Sequence, residues 1–113
     1  MKKFKLNSSE THIHLLTLFF AIGLVISSPT AVAADLVKGQ SLYLIHCSGC
    51  HGEKGISINP EAPNFASGEQ LSQSDSTLIE VIRLGNNAMP AFMGILQDNE
   101  ILDVISYART LQW

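Results

Sequence analysis

The sequence predicts an all-α fold of three helices. Apolar residues recur at helical spacing in three stretches, within residues 36–47, 78–82 and 101–111, and residues three and four apart share one face of a helix. A capping residue stands before each stretch: Asp35, Ser74 or Ser76, and Asp98; Asp and Ser satisfy the orphan N–H groups of a first turn. No strand pattern leads into the only cysteine pair, Cys47 and Cys50.

The N-terminus reads as an address. Lys2, Lys3 and Lys5 form a basic start, an apolar run covers about 15–26, and Ser27-Ser28-Pro29 breaks it. Ala31 and Ala33 place small residues at the −3 and −1 positions of a cleavage site, which completes a secretory signal peptide over 1–33. Cleavage after Ala34 fits nearly as well. The rival reading is a retained membrane anchor facing the periplasm, although the run falls short of the roughly 20 residues a span needs. Residues 34–113 form one domain of 80 residues. A chain of that size builds a modest core and is usually stapled by something else.

The first helix follows Asp35 through 36–45. Leu36, Gly39, Tyr43 and Cys47 fall on one face that runs into the cysteine pair. Gly39 costs that helix about 1 kcal/mol relative to alanine, which points to a second backbone approaching it closely. From Gly52 to Ser74 the chain is rich in Gly, Pro, Asn and Ser and reads as a loop. The second helix carries Leu78, Ile79, Val81 and Ile82, and Gly85 ends it. Residues 86–90 form a turn and an extended piece. The last helix starts at about Asp98 as its cap, with Glu100 at the positive end of its dipole and Arg109 at the negative end. Its apolar stripe is Ile101, Val104, Ile105, Ala108 and Leu111.

Cys47-Ser48-Gly49-Cys50-His51 carries the chemistry. Two cysteines two residues apart and followed at once by histidine form the attachment signature of c-type haem. Each thiol adds to one haem vinyl group, and the histidine falls beneath the iron as proximal ligand. Three other readings fit less well. A disulfide here closes a tiny loop and stabilises little. A redox dithiol wants a βαβ context. Zinc wants four ligands, and no Cys or His follows position 51.

The second face of a haem could stay open or take Met89, Met93 or His46; Met1 leaves with the signal peptide. His46 adjoins Cys47 on the attachment side. Pro90 forces Met89 into extended backbone, which presents its thioether from a fixed segment. Met93 lacks that restraint, and methionine is also a common filler of apolar gaps.

With Pro63-Asn64-Phe65, Met89-Pro90-Ala91-Phe92 and a C-terminal helix bearing Val104 and Tyr107, these residues resemble a class I cytochrome c over essentially all of 34–113. The resemblance implies a three-to-four-helix fold wrapped around one covalently attached haem c. It implies that Gly39 and Tyr43 cross the last helix near Val104 and Tyr107. It also implies that the Pro63 carbonyl accepts the free N–H of His51, which fixes the ring; the alternative for Pro63 is a stiffener of the loop. His51 and Met89 would then be the iron ligands. Arg83, Asn86 and Asn87 are candidate propionate partners. Trp113 would pack near the haem or cap the last helix.

A six-coordinate iron leaves no substrate position, so the resemblance implies outer-sphere electron transfer between redox protein partners. The chain would be a periplasmic carrier, with an alternative as the cytochrome subunit of an exported dehydrogenase or oxidase. Peroxidase or gas-sensing chemistry lacks a general-base candidate downstream of His51. Residues 34–113 hold 4 basic and 9 acidic residues, a net charge of −5, which disfavours nucleic acid and favours a partner with a basic docking face.

Overall fold

A computed structural model describes residues 33–113; residues 1–32, nearly all of the expected export signal, lie outside the described residues. The elements are α1 (Leu36–His46), α2 (Ser48–His51), α3 (Asp75–Leu84) and α4 (Asp98–Arg109), with a 3-10 turn at Phe65–Ser67. Among the described residues there is no strand, only isolated bridges between Asn86 and Met89 and between Met93 and Leu96.

The expected caps hold with one correction. Asp35 Oδ1 accepts the N–H groups of Val37 and Lys38, both at 3.0 Å. Ser74 Oγ accepts Thr77 N–H at 3.2 Å, and Gly85 closes α3 with φ at +77°. Gln97, not Asp98, caps α4, and its backbone N–H donates to Glu100 Oε2 at 2.9 Å. Asp98 is the first helical residue and pairs instead with Arg83 at 3.4 Å.

The fold is organised by α1 lying across α4. A methyl group at Gly39 would stand 2.1 Å from the Asp103 carbonyl oxygen and 3.2 Å from Tyr107 Cβ. The glycine is therefore the point where two backbones touch. Asp103, buried on α4, accepts the Asp35 N–H at 2.8 Å and ties down the start of α1. One turn beyond Gly39, the Tyr43 ring meets Tyr107 edge-on at 5.4 Å and is fully buried. Leu36 departs from the expected face: it precedes the crossing and is 48% exposed.

Two apolar clusters flank the crossing. Tyr43, Leu71, Val104 and Ala108 form one. Leu78, Phe92, Leu96, Ile101 and Ile105 form the other, with Met89 packed against it. The α4 stripe thus serves both clusters, and Leu111, past the helix end and half-buried, packs against the Tyr43 cluster. Trp113 does neither of the things expected of it. Its backbone N–H donates to the Ala66 carbonyl at 3.2 Å, and its side chain is 87% exposed.

Gly39→Ala should destabilise the protein by about 1–3 kcal/mol, because backbone atoms cannot yield as a side chain can. Urea denaturation of the haem-loaded protein checks this; an unchanged midpoint would mean that the helices do not touch there.

Candidate haem site

Both cysteines, His51 and Met89 line one cavity of about 490 Å³. Its walls are mostly apolar, supplied by α3 (Leu78, Val81, Ile82), by α4 (Val104, Ile105, Ala108) and by the loops between. That size and lining suit a bound organic cofactor.

The motif is presented by a break between two helices. Cys47 ends α1 with its N–H donating to the Tyr43 carbonyl at 2.8 Å, and α2 restarts at once. The His51 N–H donates back to the Cys47 carbonyl at 3.0 Å, closing a single turn. Gly52 leaves that turn at φ +75°, where an added methyl would stand 2.0 Å from the Ile56 carbonyl oxygen. The buried Tyr43 hydroxyl donates to the Gly52 carbonyl at 2.7 Å. Tyr43 therefore does more than pack against α4, since it also fastens the end of the motif.

His51 is buried, with Nδ1 at 3.1 Å from the Pro63 carbonyl oxygen. A carbonyl only accepts, so Nδ1 carries the proton and Nε2 keeps its lone pair. Burial holds the imidazole below its usual pKa against the opposing pull of the Pro63 bond, so the neutral, ligating form prevails at neutral pH. The ring stacks on Phe65, 4.3 Å between centroids and 7° between planes. Burial, with the neighbouring Cys50 second, pushes the Cys47 thiol up to about 11. That is opposite to the lowered pKa of a redox-active dithiol. Among the described residues, no three Cys, His, Asp or Glu side chains gather as a metal site.

Another part of the wall is the segment after α3. Asn86 and Met89 exchange backbone hydrogen bonds of 3.1 and 2.9 Å, with Asn87 at φ +51° in the turn. The segment doubles back over Gly85, where an added methyl would stand 2.7 Å from the Met89 carbonyl oxygen and 2.9 Å from the Ala91 nitrogen. Phe92 N–H then donates to the Ile82 carbonyl at 3.1 Å, and its ring is buried. The geometry separates the sequence candidates. Met89 is half-buried on the cavity, whereas Met93 is 57% exposed and lies off it. His46 borders the cavity from the side of Cys47, its ring edge-on to Phe92 at 5.9 Å. Asn86 and Asn87 line the cavity; Arg83 does not, being engaged with Asp98.

Sequence reasoning missed the wall formed by Phe65, Gln70, Leu71 and Gln73. One signal was present: Asn64 caps the 3-10 turn by accepting Ala66 N–H at 3.2 Å, a familiar role for Asn.

The family described as "Cytochrome C oxidase, cbb3-type, subunit III" matches residues 34–107. The chain is 37% identical over 90 residues to cytochrome c6 of Thermosynechococcus vestitus, covering 77% of this chain and 80% of that one. The chain belongs to the class I c-type cytochromes. The cytochrome is also 34% identical over 97 residues to cytochrome c6 of Synechocystis sp., covering 84% and 81%. Among solved structures it is similar to the KustC0563 c-type cytochrome, with a TM-score of 0.60 and 31% identity over 66% of this chain and 98% of that one. Cytochrome c6 of the diatom Phaeodactylum tricornutum aligns with a TM-score of 0.57 and 27% identity, over 68% and 93%. The family binds haem c, and the cytochrome is an electron carrier rather than an enzyme. Among the described residues no helix is long and apolar enough to cross a membrane.

Gly85→Ala should loosen the Met89 segment, since the substitution meets both a positive φ and backbone closer than 3 Å. The expected cost is about 1–3 kcal/mol, with faster amide exchange at Met89 and Phe92. Unchanged exchange at both amides would show that Gly85 does not hold the segment.

Proposed function

We propose that the cytochrome is a periplasmic carrier of single electrons, holding one haem c covalently through Cys47 and Cys50, with His51 and Met89 as the iron ligands. The observation that carries this reading is the joint lining of one apolar cavity by all four side chains. When bound, the haem supplies one-electron Fe(III)/Fe(II) exchange.

The chain's own residues do the rest. The two thiols anchor the ring by thioethers at the break between α1 and α2. Pro63 holds the His51 proton on Nδ1, which orients the ring and raises its basicity as a ligand. Met89 brings a thioether, which favours the reduced state relative to a second histidine. Leu78, Val104 and Ile105 exclude water from the cavity interior, and exclusion of water penalises the extra charge of the oxidised state. Asn86 and Asn87 remain candidates for the propionates.

Export is supported by the basic and apolar segments before Ala33. Ala33 is exposed and precedes the Asp35 cap, so cleavage there leaves α1 whole. The net charge of −5 over 34–113 favours donors and acceptors with a basic docking face. A second reading, a dedicated cytochrome subunit of an oxidase or dehydrogenase, is favoured by the oxidase-subunit description of the matching family. Co-purification with a larger redox enzyme separates it from a free carrier.

The ligand assignment predicts that Met89→Ala lowers the reduction potential and lets the ferrous protein bind carbon monoxide. Met89→His should stay closed to carbon monoxide yet also fall in potential. A Met89→Ala protein that kept its potential and refused carbon monoxide would remove Met89 from the iron.

A further inference from the structure

Arg109, in the last turn of α4, reaches across 34 to 38 residues of sequence to one short segment. Its Nε donates to the Leu71 carbonyl at 3.1 Å and its Nη2 to the Gln73 carbonyl at 2.9 Å. Its Nη1 donates to Asp75 Oδ1 at 2.6 Å. All three faces of the guanidinium fork are thus used on residues 71–75.

That segment is a wall of the cavity. Leu71 is buried and lines it, and Gln73 lines it too. Asp75 begins α3, whose Leu78, Val81 and Ile82 continue the same wall. The backbone of the segment is weakly tied to the turn before it, although the Gln73 side chain also donates to Gln70 Oε1. Its internal backbone bonds are long, 3.3 Å from Leu71 N–H to Gly68 and 3.4 Å from Gln73 N–H to Gln70, beyond the usual range. Gln70 before it sits at φ +65° without being glycine.

We propose that Arg109 is a positioning residue for electron transfer: its fork fastens residues 71–75 as a fixed wall that keeps water from the haem. The inference rests on the reading that this cavity holds haem. Two of its three bonds go to backbone carbonyls and fix the segment whatever side chains it carries. The third, to Asp75, is half-exposed, with side-chain exposures of 32% and 52%, and such pairs contribute little. Lysine keeps the charge at 109 but, as a point charge, cannot span the three acceptors. The fork, not the charge, is what sets the wall.

The test uses the haem-loaded protein and its Arg109→Lys and Asp75→Asn variants, with potentiometric titration beside urea denaturation. With the wall loosened, water reaches the ring and favours the oxidised state. Arg109→Lys should lose about tenfold in the reduced-to-oxidised ratio at a fixed electrode potential, about 59 mV, with faster amide exchange in 71–75. Asp75→Asn should stay near the parent potential. An Arg109→Lys protein with the parent potential overturns the proposal, whether or not its stability falls, because lost stability alone marks a purely structural contact. The shift is read as a difference between variants, so it stands apart from the identity of the second iron ligand. Parent protein open to carbon monoxide would defeat the Met89 assignment and leave the Arg109 comparison intact.

Discussion

The close approach of α1 to α4 at Gly39 is the constraint on which the rest depends. With no side chain between them, the two backbones meet at Asp103. That contact directs the C-terminal half of α1, and so it places Tyr43 in the core and Cys47 at the cavity. Asp103 and Asp35 fix one end of the crossing, and Tyr43 with Gly52 fixes the other. The attachment motif is thus held by a helix whose own position is set by α4. The helical penalty of a mid-helix glycine, about 1 kcal/mol, is small beside the burial that the crossing permits, since each fully buried large apolar side chain contributes about 1.5–3 kcal/mol.

Around that crossing, the irregular segments are positioned by backbone carbonyls rather than by secondary structure of their own. The Pro63 carbonyl orients His51, the Gly52 carbonyl receives Tyr43, and the Leu71 and Gln73 carbonyls receive Arg109. A loop that lines an apolar cavity cannot leave its polar backbone unpaired. Each of these bonds meets that need and at the same time fixes a wall or a ligand. The electrostatics agree with the chemistry: burial keeps His51 neutral and so available as a ligand.

The helices were legible in the sequence because their signals are local, whereas the partner of Gly39 in the crossing came from the family resemblance. Asp35 and Ser74 cap by contacts within four residues, and apolar spacing marks the buried faces of α3 and α4. The displacement of the α4 cap from Asp98 to Gln97 arises because Glu100 reaches back to the Gln97 N–H, a reciprocal arrangement that the stronger capping tendency of Asp concealed. Cys47, Cys50, His51 and Met89 were found by motif and by the restraint of Pro90, and the structure brings all four to one cavity. The Gln70–Gln73 wall and its attachment to Arg109 were not legible. Their partners lie more than thirty residues apart, and a carbonyl acceptor carries no residue-type signature. Arg83 misled because a basic residue next to the Met89 turn looks suited to an anion, whereas Asp98 already occupies it.

The central claim is that Cys47 and Cys50 hold one haem by covalent bonds. The most direct test is the intact mass of the exported protein under denaturing, reducing conditions, made alongside haem-maturation machinery. The account predicts a mass equal to a chain starting at Ala34 or Asp35 plus a single haem, with the haem retained after denaturation and lost when both cysteines are replaced by alanine. A chain that sheds its haem on denaturation, or carries none, would contradict it.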